Sequence, residues 1–262
     1  MTAIDYNYHT HTPRCHHAVG SEREYVEKAI EHGFTRLGFS DHSPQPFDNG
    51  YVSGIRMDMD ELEGYVSVLK SLREEYRDRI SIYIGLEAEY YPRYFDRLLD
   101  AAKGFDIDYM ILGQHYLDNE EGRYVGSPTS SEDDLASYVD EVIAGLETGV
   151  YTYLAHPDLI RYEGSYGIYE KHMTRLCEYA KDHNVPLELN ALGFQTDRWY
   201  PRADFFALAS AVGCRFVYGC DAHDPLMVQK PFEVEGMEEF IAGAGIEISD
   251  IEPLSIKNVD RQ

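Results

Sequence analysis

Hydrophobic and polar positions follow two different rhythms along this chain. Short apolar segments, rich in β-branched and aromatic residues, recur between longer amphipathic stretches. Segments of this length and composition, bounded by turn-forming and polar residues, are typical of β-strands. The predicted strands lie at residues 4–8, 35–40, 80–87, 109–113, 151–155, 186–190 and 215–219.

The stretches between these strands have the periodicity of amphipathic helices. Residues 21–33 begin with a capping-box pattern, Ser21 followed by Glu24, and end on Gly33, which suits the position just after a helix. Further helices are predicted at 59–76, 131–149, 168–184, 202–213 and 235–245. Strands that alternate with helices indicate an α/β fold with a parallel sheet, most economically a closed or nearly closed barrel.

Length and composition place the chain among globular proteins. Its 262 residues, 44% of them hydrophobic, suffice for one large domain such as a barrel. No apolar run approaches the roughly 20 residues that span a bilayer, and "MTAIDYNYH" lacks the features of an export signal. The four cysteines form no CxxC pair and are expected to be reduced thiols in a cytoplasmic protein.

The net charge of −24 bears on the partners of the protein. It disfavours nonspecific binding to nucleic acid and to anionic membranes. An anionic substrate would therefore need a strong local positive charge, which bound metal ions can provide.

Candidate metal ligands follow the predicted strands. Every segment ends in a polar group of this kind: His9 and His11, Asp41 and His42, Glu87 and Glu89, His115, His156 and Asp158, Glu188 and Asn190, and Asp221, His223 and Asp224. Eight of the 11 histidines lie at these ends or in the loop after the first strand. In βα barrels the carboxyl ends of the strands meet on one face, where the active site lies.

The spacing of the first and last motifs suits a shared ion. Residues two apart on a strand face the same side, so His9 and His11 can reach one ion, as can Asp221 and His223. Imidazole and carboxylate ligands suit zinc, iron or manganese. We therefore predict a multinuclear metal site at the carboxyl ends of the strands.

The motifs "HTHTPRCHHA", "GFSDHSP", "GLEAEY", "AHPDLI" and "GCDAHDP" resemble those of the polymerase and histidinol phosphatase (PHP) family. Within it they resemble the stand-alone histidinol-phosphate phosphatases. This resemblance implies a distorted (β/α)7 TIM-like barrel with its active site at the carboxyl ends of the strands. It also implies a single metallophosphoesterase domain over residues 1–262.

The resemblance further implies three divalent metals. The first would be held by His9, His11, Glu87 and Asp221; the second by a bridging Glu87 with His115 and His156; the third by His17, His42 and His223. His17 is preferred to His16 because the family pattern Cys-x-His-Ala matches Cys15, His17 and Ala18. Glu89 is the rival for the bridge, because strand alternation turns it the same way as Glu87.

Other residues receive roles around these ligands. Glu87, Asp221 and His223 are expected to be catalytic through the metals, and Asp41 to orient a metal-binding imidazole. Arginine forks bind phosphate oxygens in pairs. Arg161, Arg198 and Arg56 are the candidates for that role.

The implied reaction is hydrolysis of L-histidinol phosphate to L-histidinol and phosphate, as in histidine biosynthesis. Two alternatives stay open at this point. One is a phosphoesterase of the same family that acts on nucleotides or short oligonucleotides. The other is a noncatalytic metal-binding or polymerase-accessory module. The expected partner is a small phosphorylated substrate, with neither nucleic acid nor membrane.

Overall fold

Seven parallel strands form a barrel in the computed structural model, which describes residues 4–258. The strands follow each other around the sheet in chain order: β1 Tyr6–Asn7, β2 Arg36–His42, β3 Ser81–Ala88, β4 Tyr109–Leu112, β5 Tyr151–Leu154, β6 Leu187–Asn190 and β7 Phe216–Gly219. A parallel bridge between Thr10 and Ala222 joins the chain after β1 to the chain after β7. The predicted strands and the nearly closed α/β barrel are confirmed.

The helices pack outside the barrel. They are α1 Glu22–Glu31, α2 Leu62–Tyr76, α3 Pro92–Gly104, α4 Glu132–Glu147, α5 Tyr166–Asp182, α6 Ala191–Gln195, α7 Ala203–Val212 and α8 Met237–Ala244. The capping box of Ser21 and Glu24 is present, and Gly33 has the left-handed φ of +72° expected just after a helix. Helix α3 was not predicted, although it begins with a proline and buries Phe95, Leu98 and Ala102 at helical spacing.

Tyrosine rings fill the barrel interior at the amino-terminal end of the strands. Tyr6, Tyr8, Tyr109 and Tyr153 are at most 1% exposed and form one cluster. The Tyr109 hydroxyl donates to the carbonyl of Tyr8 at 2.7 Å. Its ring fits because β2 has a glycine beneath it: a Cβ on Gly38 would lie 2.2 Å from the Tyr109 hydroxyl oxygen. With this end filled, the carboxyl end is the open face.

Two compositional expectations can be compared with the fold. Cys15, Cys177 and Cys220 are buried, Cys214 is half-buried, and all four are free thiols, as expected. No helix within residues 4–258 has the length and apolarity needed to cross a membrane.

Candidate metal centre

The polar side chains that follow the strands converge at the open face of the barrel. In four groups of three residues, one ligand atom from each residue lies within 4.8 Å of the others. These groups are His9, His11 and Asp221; His9, Glu87 and His156; His11, His42 and Glu87; and His17, His42 and His223. The groups share members, so together they form one continuous cluster.

Glu87 lies at the centre of this cluster. Its two oxygens are 2.7–3.6 Å from ring nitrogens of five histidines: His9, His11, His42, His115 and His156. Oε2 faces the first three rings and Oε1 the other two. The side chain has room because the residue directly after β4 is a glycine; a Cβ on Gly113 would lie 2.0 Å from Glu87 Oε1. A carboxylate with its oxygens divided in this way can bridge two metal ions.

Glu89, the rival for the bridge, faces away from the cluster centre. Strand β3 ends at Ala88, so the alternation that was expected to align Glu89 with Glu87 does not extend to it. Its two oxygens instead accept hydrogen bonds from Arg56 at 2.7 and 2.8 Å. The geometry favours Glu87 as the bridging residue.

Arg56 is placed differently from the sequence-based expectation. It is 1% exposed, and its guanidinium binds the carboxylates of Glu89 and Glu120 and the carbonyl of Ser43. It does not line the open cavity described below. The structure therefore does not support the predicted phosphate contact of Arg56, because its guanidinium is bound to Glu89, Glu120 and Ser43 inside the protein.

The adjacent histidines of the first loop point in different directions. His16 caps a short 3₁₀ turn with a left-handed φ of 67°, and its ring is exposed. The next residue, His17, is exposed as well, but its Nε2 lies 3.1 Å from Nε2 of His223. Cys15 forms a further potential ligand group with His11 and His223. The backbone turn thus brings His17 to the cluster and leaves His16 outside.

The cluster fits a group of cations. Buried polar atoms in folded proteins ordinarily have hydrogen-bond partners. Six buried atoms of this cluster make no hydrogen bond of good geometry, although some of them lie close to each other: His9 Nε2, both ring nitrogens of His11, His42 Nδ1, His156 Nδ1 and Glu87 Oε2. Imidazole nitrogens and carboxylate oxygens are the ligands of zinc, iron and manganese. The side chains present can therefore hold such ions.

Without metal ions, protonated imidazoles and ionised carboxylates of the cluster stabilise each other. Burial opposes protonation of His9, but the carboxylates of Glu188, Asp221 and Glu87 outweigh it and raise the pKa of His9 to about 10. Burial likewise opposes ionisation of Glu87, yet the surrounding imidazoles hold its pKa well below the usual range. Burial lowers the pKa of His42 to about 3. Metal ions would replace the protons, because ligands bind them in the deprotonated form.

Buried carboxylates orient two of the imidazoles from behind. Glu188 Oε1 lies 2.8 Å from His9 Nδ1, and Asp41 Oδ1 lies 3.4 Å from His11 Nδ1. Asn190 donates to Glu188 and also to Asp221, at 2.9 and 3.0 Å. Such carboxylates fix the ring orientation and raise the basicity of a metal-binding histidine. Sequence reasoning assigned this role to Asp41 but gave none to Glu188, although a glutamate inside an apolar strand was a signal.

Two of the predicted ligands have strained backbones. His156 and Asp221 have φ values of 28° and 51°, in the left-handed region. Residues other than glycine adopt it at a cost, and such positions concentrate at functional sites. In both cases the turn directs the side chain that follows a strand back over the barrel mouth.

A cavity of about 500 Å³ opens above the cluster. Its lining combines metal-binding candidates of the cluster with Gly54, Ile55, Tyr116, Tyr124, Leu159, Leu192, Arg198 and Tyr200. Among the described residues that line it, Arg198 is the one arginine or lysine. This volume suits a small-molecule ligand.

Arg161 lies beside this cavity but does not line it. Its Nε donates to Glu163 at 2.9 Å, and its guanidinium lies over the ring of Trp199, 5.5 Å from the centroid. Trp199 in turn donates its indole N–H to the carbonyl of Leu159 at 2.6 Å. Of the three predicted phosphate-binding arginines, the structure brings only Arg198 to the cavity.

Comparison with known proteins adds three findings. Residues 7–192 match the PHP domain family. A Deinococcus radiodurans protein named "Probable histidinol-phosphatase" is 30% identical over 231 residues, which cover 83% of this chain and 85% of that protein. The structure of a Lactococcus lactis histidinol phosphate phosphatase, complexed with zinc, L-histidinol and phosphate, has a TM-score of 0.70 at 19% identity and covers 98% of this chain and 99% of that one.

A second solved structure has the same architecture. It is a candidate histidinol phosphatase from Listeria monocytogenes, similar at a TM-score of 0.72 and 22% identity, over 88% of this chain and 99% of that one. At sequence identities this low, the two structures establish similarity of the barrel fold alone.

Proposed function

The chain belongs to the PHP domain family, and on this premise we propose that it is a metal-dependent phosphomonoesterase that hydrolyses L-histidinol phosphate to L-histidinol and phosphate. One observation carries the proposal: a continuous cluster of histidines and carboxylates opens into a small cavity that Arg198 also lines. The name of the Deinococcus relative and the ligands of the Lactococcus structure support the choice of substrate. Residues 1–262 are taken as one domain in this proposal.

The proposal assigns nine residues to three divalent metals: His9, His11, His17, His42, Glu87, His115, His156, Asp221 and His223. Ions bound there would supply Lewis acidity at the phosphoryl group and lower the pKa of water. Zinc, iron and manganese all suit this ligand set. Glu87, Asp221 and His223 would act on the reaction by holding these ions at the cavity floor.

The remaining residues bind and orient the substrate. Arg198 faces the cavity and would bind phosphate oxygens through its guanidinium fork. Glu188 and Asp41 hold the imidazoles of His9 and His11 in place. The apolar side chains of Ile55, Leu159 and Leu192 exclude water from their part of the cavity lining.

The experiment that tests the proposal is release of phosphate from L-histidinol phosphate by protein of known metal content. We expect turnover of this substrate and little release from short oligonucleotides, because the net charge of −24 disfavours polyanions. Nucleoside monophosphates carry a single phosphate monoester, as histidinol phosphate does, so they are assayed beside it. Preference for nucleotides would replace the substrate but keep the chemistry. Metal-loaded protein that hydrolyses none of these esters would support the noncatalytic alternative.

Replacing Arg198 with alanine should raise KM for the phosphorylated substrate by roughly 10- to 100-fold, the effect of losing one or two charge-assisted hydrogen bonds. Arg161→Ala is the matched comparison, because Arg161 lies close by and pairs with Glu163. We expect its KM to change by less than about threefold, the scale of an exposed ion pair. Steady-state kinetics of both variants test this. An equal rise in both would restore the sequence-based prediction that Arg161 also binds phosphate.

A further inference from the structure

A series of linked, buried ion pairs lies beside the metal centre. Arg56 lies between two carboxylates: its Nη1 and Nη2 donate to Glu89 at 2.8 and 2.7 Å, and its Nε donates to Glu120 at 2.6 Å. The three residues are 1%, 1% and 6% exposed. Burying three charges costs several kcal/mol for each ion unless good geometry offsets it, and such pairs are often no more stabilising than apolar residues. A contribution to folding stability alone is therefore a poor explanation for these buried ion pairs.

One end of this series of ion pairs, Glu89, reaches the metal centre through His115. Glu89 Oε1 lies 3.0 Å from Nδ1 of His115, while Nε2 of the same ring faces the central carboxylate, 3.4 Å from Glu87 Oε1. A carboxylate on one ring nitrogen fixes the tautomer and the orientation of the other. Glu89 therefore sets the direction in which His115 presents its free nitrogen.

The other end reaches the wall of the cavity. Glu120 belongs to residues 116–124, which form a hairpin closed by an antiparallel bridge between Tyr116 and Tyr124. We call this segment the 116–124 hairpin. Both of its tyrosines line the cavity. Glu120 also accepts a hydrogen bond from the hydroxyl of Tyr51 at 3.1 Å.

His115 and the 116–124 hairpin are thus adjacent in the sequence and are both linked to one guanidinium, His115 through Glu89 and the hairpin through Glu120. We propose that Arg56 is a positioning residue that holds the metal ligand His115 and the substrate-facing 116–124 hairpin as a single rigid unit. A lysine cannot replace it, because the role needs a planar fork that binds one carboxylate with two nitrogens and a second carboxylate with the third. The inference rests on the proposed function only for its kinetic readout.

The test compares single variants of the purified full chain. Arg56→Lys keeps the charge but loses the fork, so it should weaken the most loosely bound zinc by about 10- to 100-fold, the usual effect of losing the outer partner of a metal ligand. It should also speed amide hydrogen exchange in the 116–124 hairpin and raise KM more than it lowers kcat. Zinc affinity is measured by competition with a chelator, and exchange by mass spectrometry.

Variants at the two ends separate the two connections. Glu89→Gln should weaken zinc binding as Arg56→Lys does. Glu120→Gln should leave zinc affinity within about threefold, raise KM by about tenfold, and speed exchange in the hairpin, since it removes a charge-assisted hydrogen bond there. Glu121→Gln is the matched control, because this neighbour on the same hairpin is exposed and contacts Asn49 instead. We expect it to behave as the wild type in all three measurements.

Some outcomes would overturn the proposal. If Arg56→Lys lowers only the melting temperature, with zinc affinity, hairpin exchange and KM unchanged, the ion pairs serve stability alone. If that variant does not fold, the end variants decide: Glu120→Gln with wild-type exchange in the hairpin contradicts the link. If the wild type does not hydrolyse L-histidinol phosphate, the proposed function fails, whereas zinc affinity and hydrogen exchange still test the role of Arg56.

Discussion

Glu87→Gln should reduce kcat for L-histidinol phosphate by at least about a thousandfold, equivalent to about 4 kcal/mol in the activation barrier. Within residues 4–258, Glu87 is the one side chain whose oxygens approach ring nitrogens of five histidines. Glutamine has the same size but replaces one carboxylate oxygen with an amide nitrogen, which does not ligate a metal ion. The variant should therefore lose the bridge, and with it metal content measured by elemental analysis.

The control for Glu87→Gln is the same exchange at a half-buried glutamate outside the cluster. Glu141 accepts hydrogen bonds from Gln114 and from the backbone of Asp118, away from the five imidazoles. Glu141→Gln should keep its metals and most of its turnover. A Glu87→Gln protein with full metal content and more than about a tenth of wild-type kcat, a loss under about 1.4 kcal/mol, would remove Glu87 from the bridge and return attention to Glu89.

Removal of the metals should abolish phosphate release and lower the melting temperature by roughly 10 °C. A ligand present at a thousand times its Kd stabilises the folded state by about 4 kcal/mol, and each kcal/mol shifts the melting temperature of a protein of this size by about 2–4 °C. The physical source is the set of buried nitrogens and oxygens that lack hydrogen-bond partners. Scanning calorimetry of chelated and reloaded protein measures the shift.

Reloading with zinc, manganese or iron should restore both properties, whereas calcium should not, because calcium prefers an all-oxygen ligand shell. The carboxylates around His9 raise its pKa to about 10 in the metal-free state. Protons therefore compete with metals more strongly as pH falls, and reloading should need more metal at pH 6 than at pH 8. Metal-free protein with undiminished turnover would contradict the whole assignment.

The sequence predicted the barrel well because its strands are strongly marked. Segments such as 80–87 and 186–190 combine apolar side chains with a polar end, and the structure has strands at Ser81–Ala88 and Leu187–Asn190. Helix α3 was not predicted, and its charged residues do not account for this, because they lie between the apolar positions as in any amphipathic helix. Its proline start and the spacing of Phe95, Leu98 and Ala102 were nevertheless readable.

The candidate site was predictable where the position of a short side chain follows from the direction of the strand before it. His9 and His11 are two residues apart after a strand, and the structure brings them to the same cluster. Long side chains escape this rule. Arg56 follows a loop, and nothing in its neighbours tells whether the guanidinium enters the cavity or pairs with Glu89. Such contacts are decided by residues distant in the sequence.

The single tryptophan of the chain makes the cavity optically accessible. Trp199 stands between Arg198 and Tyr200, which both line the cavity, and its indole N–H is bonded to the carbonyl of Leu159, which lines it too. All of the tryptophan fluorescence thus comes from one residue whose neighbours line the cavity. A change in emission on adding substrate or phosphate would report occupancy directly, without a label and without turnover. The emission of Trp199 therefore offers an intrinsic assay for ligand binding.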